Sequence, residues 1–106
     1  MQYLSFSLGG NETELITARI DISNEKLASF AKTLSLSELE RSNEFKFDRD
    51  KKKYIFVRGL LRELISIRLA IPSNQIEFSY GNYGKPYLHP DPTNSKLYFN
   101  LSHSHD

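Results

Sequence analysis

The sequence contains no cysteine, which excludes disulfides, thiolate metal sites and cysteine nucleophiles. No apolar run approaches the ~18 residues that a membrane-spanning helix needs. The N-terminus lacks the basic-then-apolar order of a secretory signal. An excess of one charge sign is missing too. Lys and Arg number 14 against 13 Asp and Glu, a net charge of +1, so no global field draws the chain to nucleic acid or to a membrane. Any basic site must therefore arise from local clustering. There are no internal repeats or low-complexity tracts. Together these absences fit a cytoplasmic protein. What remains is 106 residues, 39% hydrophobic and 25% charged, the make-up of a single soluble domain with one modest core.

Periodicity orders the chain. Leu4, Phe6 and Leu8 alternate with Ser5 and Ser7; Gly9-Gly10-Asn11 forms a turn, and Leu15 to Ile22 alternates again, which predicts a β-hairpin. Ser23 is placed as an N-cap, with Ile22 and Leu27 as a hydrophobic staple, before Leu27, Phe30, Ala31 and Leu34 at helical spacing. A second helix is expected from Ser37, boxed by Glu40, and runs toward Phe45. The longest runs from about Asp48 to Ala70 and is stopped by Pro72. Its helical wheel gathers Val57, Leu60, Leu61, Leu64, Ile67 and Ile71 on one arc, with Arg58 and Arg62 opposite, beside Lys51. Ile76, Phe78 and Tyr80 mark a short strand, a turn-rich segment follows, and Leu97, Phe99 and Leu101 mark the last strand. The order predicts an α+β lobe: a small, mainly antiparallel sheet with helices packed on one face.

Chemistry-bearing residues fall in two places. On the long helix, Arg49 and Lys53 project onto the apolar side within the first turns, at the unfavourable end of the helix dipole. A bound polyanion would relieve that cost, and so would snorkelling to solvent or pairing with Asp48 or Asp50. Lys51-Lys52-Lys53 radiates around the helix and makes no stripe for nucleic acid. Arg58 and Arg62 have surface charge or ion pairing as their default role, with Glu63 or a carboxylate elsewhere. In the C-terminal part, Gly84 permits close approach of a ligand, and Pro86 biases Lys85 toward extended backbone. Phe99-Asn100-Leu101-Ser102-His103-Ser104 follows; lysine, serine and histidine brought together suit phosphate groups. Ser102 and His103 are strand neighbours on opposite faces, so they make a poor nucleophile–base pair. His103 and His105 share a face but do not complete a metal site.

Taken in order, several segments resemble the Sfp-type 4'-phosphopantetheinyl transferases over most of the chain. They are Leu36-Ser37 with Glu40-Arg41 and Phe45, Asp48-Arg49-Asp50 through Arg58 to Leu61-Arg62, Ile76-Glu77-Phe78, Tyr83-Gly84-Lys85-Pro86, and the Phe99–Ser104 segment. The resemblance implies that residues 1–106 are one domain, the N-terminal lobe of a two-lobed enzyme. That enzyme moves the phosphopantetheine arm of coenzyme A to a serine of an acyl or peptidyl carrier protein. By the same resemblance Lys85 of the Gly84-Lys85-Pro86 turn, Ser102 and His103 contact coenzyme A phosphates. Arg41, Arg49 and Lys53 fall at further coenzyme A contacts, and Tyr54 and Gly84 line the nucleotide pocket. The family's magnesium carboxylates, in a Gly-(Ile/Val)-Asp-x-Glu segment, have no counterpart in these residues, nor does its Trp/Phe-x-x-Lys-Glu motif. Magnesium is thus expected only with a C-terminal lobe, no catalytic residue is expected here, and transfer by this lobe alone should be negligible. An apolar face left by a missing lobe would invite self-association. The alternative is a non-catalytic module that binds nucleotide or a carrier protein.

Overall fold

The computed structural model describes residues 2–9, 13–80, 86–88 and 98–105. The chain divides into two compact units, Met1–Arg19 with Ile76–Asp106, and Ile20–Gln75.

The first unit is built of strands. β1 (Gln2–Gly9) pairs antiparallel with β2 (Thr13–Arg19), the expected hairpin, although β2 ends at Arg19 rather than at Ile22. β3 (Phe78–Tyr80) pairs antiparallel with β4 (Pro86–Leu88), and β5 (Tyr98–His105) returns to pair antiparallel with β1. The strands form two sheets rather than one: β2-β1-β5, and β3-β4 by itself. The alternation that marked β1 also explains its register. Leu4 stands opposite Ala18 and Phe6 opposite Ile16, so apolar positions share rows and a one-residue slip would mix them with polar ones. β4 carries no alternation to announce it, being short and opening on proline, which a strand tolerates at its first position.

The second unit is helical: α1 (Asn24–Ala31), α2 (Leu36–Asn43), α3 (Asp48–Leu69) and a 3-10 turn at Ser73–Gln75. Ser23 caps α1 as expected, accepting from the Lys26 N–H, while Ile22 is exposed rather than stapled. α2 begins two residues earlier than Ser37-x-x-Glu40 suggests. Its capping box is Ser35 with Glu38, in which the Ser35 N–H donates to Glu38 Oε1 at 2.8 Å and the Glu38 N–H to Ser35 Oγ at 3.2 Å. Two boxes overlap in Ser-Leu-Ser-Glu-Leu-Glu, and tertiary burial of Glu38 selects the first.

α3 ends as expected, with Ala70 left-handed at φ 55° and its N–H donating to the Ser66 carbonyl just before Pro72. Its buried face is not the one the wheel selected. Phe56, Gly59, Leu61, Arg62 and Ile65 are buried, whereas Ile67 is 75% exposed. The reason is steric and electrostatic. Phe30 of α1 packs tilted on Phe56, ring centroids 5.5 Å apart, and lies so close over Gly59 that a Cβ there would meet Phe30 Cβ and Cγ at 2.3 Å. Counting apolar residues overlooks a glycine that admits a neighbour and an arginine that enters the core paired.

Candidate functional site

Polar chemistry in the helical unit is organised by one carboxylate. Glu38 is 1% exposed, and its Oε1 accepts from Arg62 Nε at 2.8 Å as well as from the Ser35 N–H. Arg62, 2% exposed, also donates from Nη1 to the Ser73 carbonyl at 2.8 Å, tying α3 to α2 and to the 3-10 turn. Arg58 Nη1 approaches Glu38 Oε2 at 3.4 Å. That oxygen accepts no hydrogen bond, so Arg58 serves it as a charge rather than as a well-aligned donor. The expectation of Arg58 and Arg62 on a solvent face is therefore corrected: both turn inward, to the "carboxylate elsewhere".

From Arg58 a stack leads outward. Its guanidinium lies over the Tyr54 ring at 5.4 Å; Tyr54 packs against Phe45 at 5.4 Å with a 42° tilt; Arg41 lies over Phe45 at 4.9 Å. Cation and ring alternate at its two ends, each contact favoured by the ring quadrupole. Arg41 is exposed and also pairs with Glu44 at 2.8 Å. The structure thus joins two of the expected site residues, Arg41 and Tyr54, through Phe45. Neither Phe45 nor Arg58 is among the site residues that the sequence suggests. Two arginines one turn apart on α3 were the available signal.

Arg49 and Lys53 stand one turn apart on α3, with Tyr54 next in the chain. Arg49 is exposed and Lys53 half-buried. Arg49 thus reaches solvent from the first turn of α3, although buried Phe56 lies two turns further along the same face. Lys52 takes the nearby carboxylate, pairing with Asp48 at 3.0 Å. Among the described residues neither Arg49 nor Lys53 pairs with a carboxylate. This stretch therefore offers cationic donors and an aromatic platform, with no nucleophile–base pair.

The C-terminal candidates belong to the strand unit. Gly84 and Lys85 lie outside the described residues, in the connection between paired Tyr80 and Pro86. Pro86 opens β4. On β5, Ser102 is opposite Ser5, itself opposite Thr17, so it holds a place in a polar row. His103 is opposite Leu4, in the row of Ala18. No group of three His, Asp or Glu that could hold a metal occurs among the described residues. Likewise, none of the described helices is long and apolar enough to cross a membrane.

Comparison with known proteins gives these residues a context. The profile of the family described as "4'-phosphopantetheinyl transferase, N-terminal" matches residues 21–106. The 4'-phosphopantetheinyl transferase HetI of Nostoc sp. is 35% identical over 100 residues, covering 94% of this chain and 42% of the relative. The human L-aminoadipate-semialdehyde dehydrogenase-phosphopantetheinyl transferase is 35% identical over 74 residues, 70% of this chain and 24% of its own. A phosphopantetheinyl transferase of Thraustochytrium sp. is 34% identical over 74 residues, 69% of this chain and 25% of its own. The chain thus spans less than half the length of these relatives. Motif order, the family profile and the relatives converge, and the chain belongs to the 4'-phosphopantetheinyl transferase family, matching its N-terminal lobe.

Proposed function

We propose that this chain supplies part of the coenzyme A site of an enzyme that transfers 4'-phosphopantetheine to a serine of an acyl or peptidyl carrier protein. In that reaction the serine oxygen bonds to the phosphorus bearing the pantetheine arm. The bond from that phosphorus to the adjoining phosphate breaks, and adenosine 3',5'-bisphosphate leaves with the electron pair. The serine proton goes to a general base. Negative charge gathers on phosphate oxygens throughout, and fixed cations stabilise it.

The observation that carries the reading is the pair Arg49 and Lys53, two cations of α3 without a carboxylate partner among the described residues, on the helix that also carries Tyr54 of the Tyr54–Phe45 ring pair. Their free donors suit phosphates, and the rings suit a purine. Lys85, flanked by Gly84 and Pro86, joins Ser102 and His103 in the reading as further phosphate contacts, and Arg41 as a cation at the edge of the rings. Magnesium would neutralise the pyrophosphate when bound, yet the described residues do not form its site. They contain no cluster of ligands, and the buried Glu38 is committed to Arg58 and Arg62.

Calorimetric titration of the 106-residue chain tests this. Coenzyme A and adenosine 3',5'-bisphosphate should both bind saturably, the bisphosphate retaining most of the affinity. Failure of both to bind would overturn the reading.

A further inference from the structure

We propose that Arg58 is a positioning residue for the nucleotide end of this site: anchored by the buried Glu38 carboxylate, it fixes the tilt of the Tyr54–Phe45 ring pair against which the adenine rests. The inference deepens the coenzyme A reading above and rests on it. Arg58 is poorly suited to be an anion hook itself, since its side chain is 12% exposed and faces Glu38 Oε2. Oε1 already accepts from the Ser35 N–H and Arg62 Nε, whereas Oε2 accepts no hydrogen bond. A buried carboxylate oxygen in that condition holds the guanidinium by charge, because losing it would leave the charge uncompensated.

The location of Arg58 is thus dictated from inside the helical unit, and its planar group lies over Tyr54 at 5.4 Å. Tyr54 in turn meets Phe45 at 5.4 Å. Lys53 precedes Tyr54 on the same helix, so the platform and a phosphate-seeking cation are carried by one rigid element, and the ring tilt decides how a base meets the platform. A ligand carrying both base and phosphates feels that tilt; a phosphate-only ligand does not. This separates positioning from general stabilisation.

The test uses the 106-residue chain with Arg58→Met, Arg58→Lys, Tyr54→Leu and the Arg58→Met/Tyr54→Leu double variant. The probes are adenosine 3',5'-bisphosphate and inorganic pyrophosphate. Ring signals of ¹³C-labelled tyrosine are followed by NMR, that of Tyr54 being the one lost in Tyr54→Leu. Arg58→Met should shift the Tyr54 signal and weaken bisphosphate binding about tenfold, while pyrophosphate binding stays within about twofold. In the Tyr54→Leu background Arg58→Met should cause no further loss. Should Arg58→Met fail to fold, Arg58→Lys decides: it leaves a cation for Glu38 but removes the planar stack, so the ring should still shift and bisphosphate binding still fall roughly threefold. An unmoved Tyr54 signal, equal losses for both ligands, or full wild-type behaviour in Arg58→Lys overturns the proposal. Absence of bisphosphate binding by the unsubstituted chain overturns the parent reading, and this one with it, before any variant is made.

Discussion

Arg62 donates from Nε to Glu38 Oε1 over 2.8 Å across 24 positions of sequence, with both side chains almost wholly removed from water. Such a pair gives little net stability over an apolar substitute, but breaking it strands a buried charge. Glu38→Ala leaves two arginines facing inward, and Arg62→Ala leaves the carboxylate with Arg58 at 3.4 Å as its remaining cation. Each should lower unfolding free energy by about 3–5 kcal/mol, a large share of a small protein's total. Glu44→Ala removes the equally short Arg41–Glu44 contact from a site where both partners are mostly exposed, and should cost less than about 1 kcal/mol. Urea denaturation of the three variants measures the contrast. Equal costs would contradict the burial argument.

Gly59→Ala sets two effects against each other. Alanine is the better helix former by ~1 kcal/mol. Its methyl, however, would meet Phe30 Cβ and Cγ at 2.3 Å, near the root of that side chain rather than at a free end. Relief requires α1 to move or Phe30 to leave its contact with Phe56, and overpacking of this kind costs about 1–3 kcal/mol. The clash should win, so thermal melting should show Gly59→Ala less stable than the unsubstituted chain.

The start of α2 can be checked by two serine substitutions. Ser35 Oγ accepts from the Glu38 N–H, and the Glu38 carboxylate answers by accepting from the Ser35 N–H. Ser35→Ala should cost about 1 kcal/mol. Ser37 contributes only a hydroxyl contact to Ser35 at 3.2 Å, so Ser37→Ala should be nearly neutral in the same denaturation assay. The reverse ranking would restore the Ser37–Glu40 box.

Local patterns made much of the fold legible. The β1–β2 hairpin, the Ser23 cap and the end of α3 before Pro72 all follow from alternation, capping chemistry and proline sterics, which act within a few residues. The misreadings involve partners distant in sequence. Glu38 chose the α2 register because Arg62 lies across from it, and Phe30 turned the Gly59 side of α3 inward. No window along the chain contains either pair. For the candidate site, the helical wheel picked out Arg49 and Lys53, the resemblance added Arg41 and Tyr54, and the structure joins Arg41 to Tyr54 through Phe45. Phe45 and Arg58 look ordinary in sequence because their contacts with Tyr54 and Glu38 arise only when α2 and α3 pack together.

Three neighbouring cations on α3 should differ sharply in their effect on ligand binding, and the difference is decided by carboxylates rather than by distance along the chain. Lys52 is paired with Asp48 one turn back, so its charge is already compensated locally. Arg49 and Lys53 have no such pair among the described residues. Replacing a cation that makes a charge-assisted hydrogen bond to a phosphate forfeits roughly 1.5–3 kcal/mol. Lys53→Ala and Arg49→Ala should therefore each weaken coenzyme A binding by about ten- to a hundredfold. Lys52→Ala should change it by less than about threefold. Raising the salt concentration should weaken the unsubstituted chain more than Lys53→Ala, since the variant has one fewer charge to screen. If calorimetry finds the three variants equally impaired, diffuse basic charge on the helix attracts the ligand, and the specific roles given to Arg49 and Lys53 are wrong.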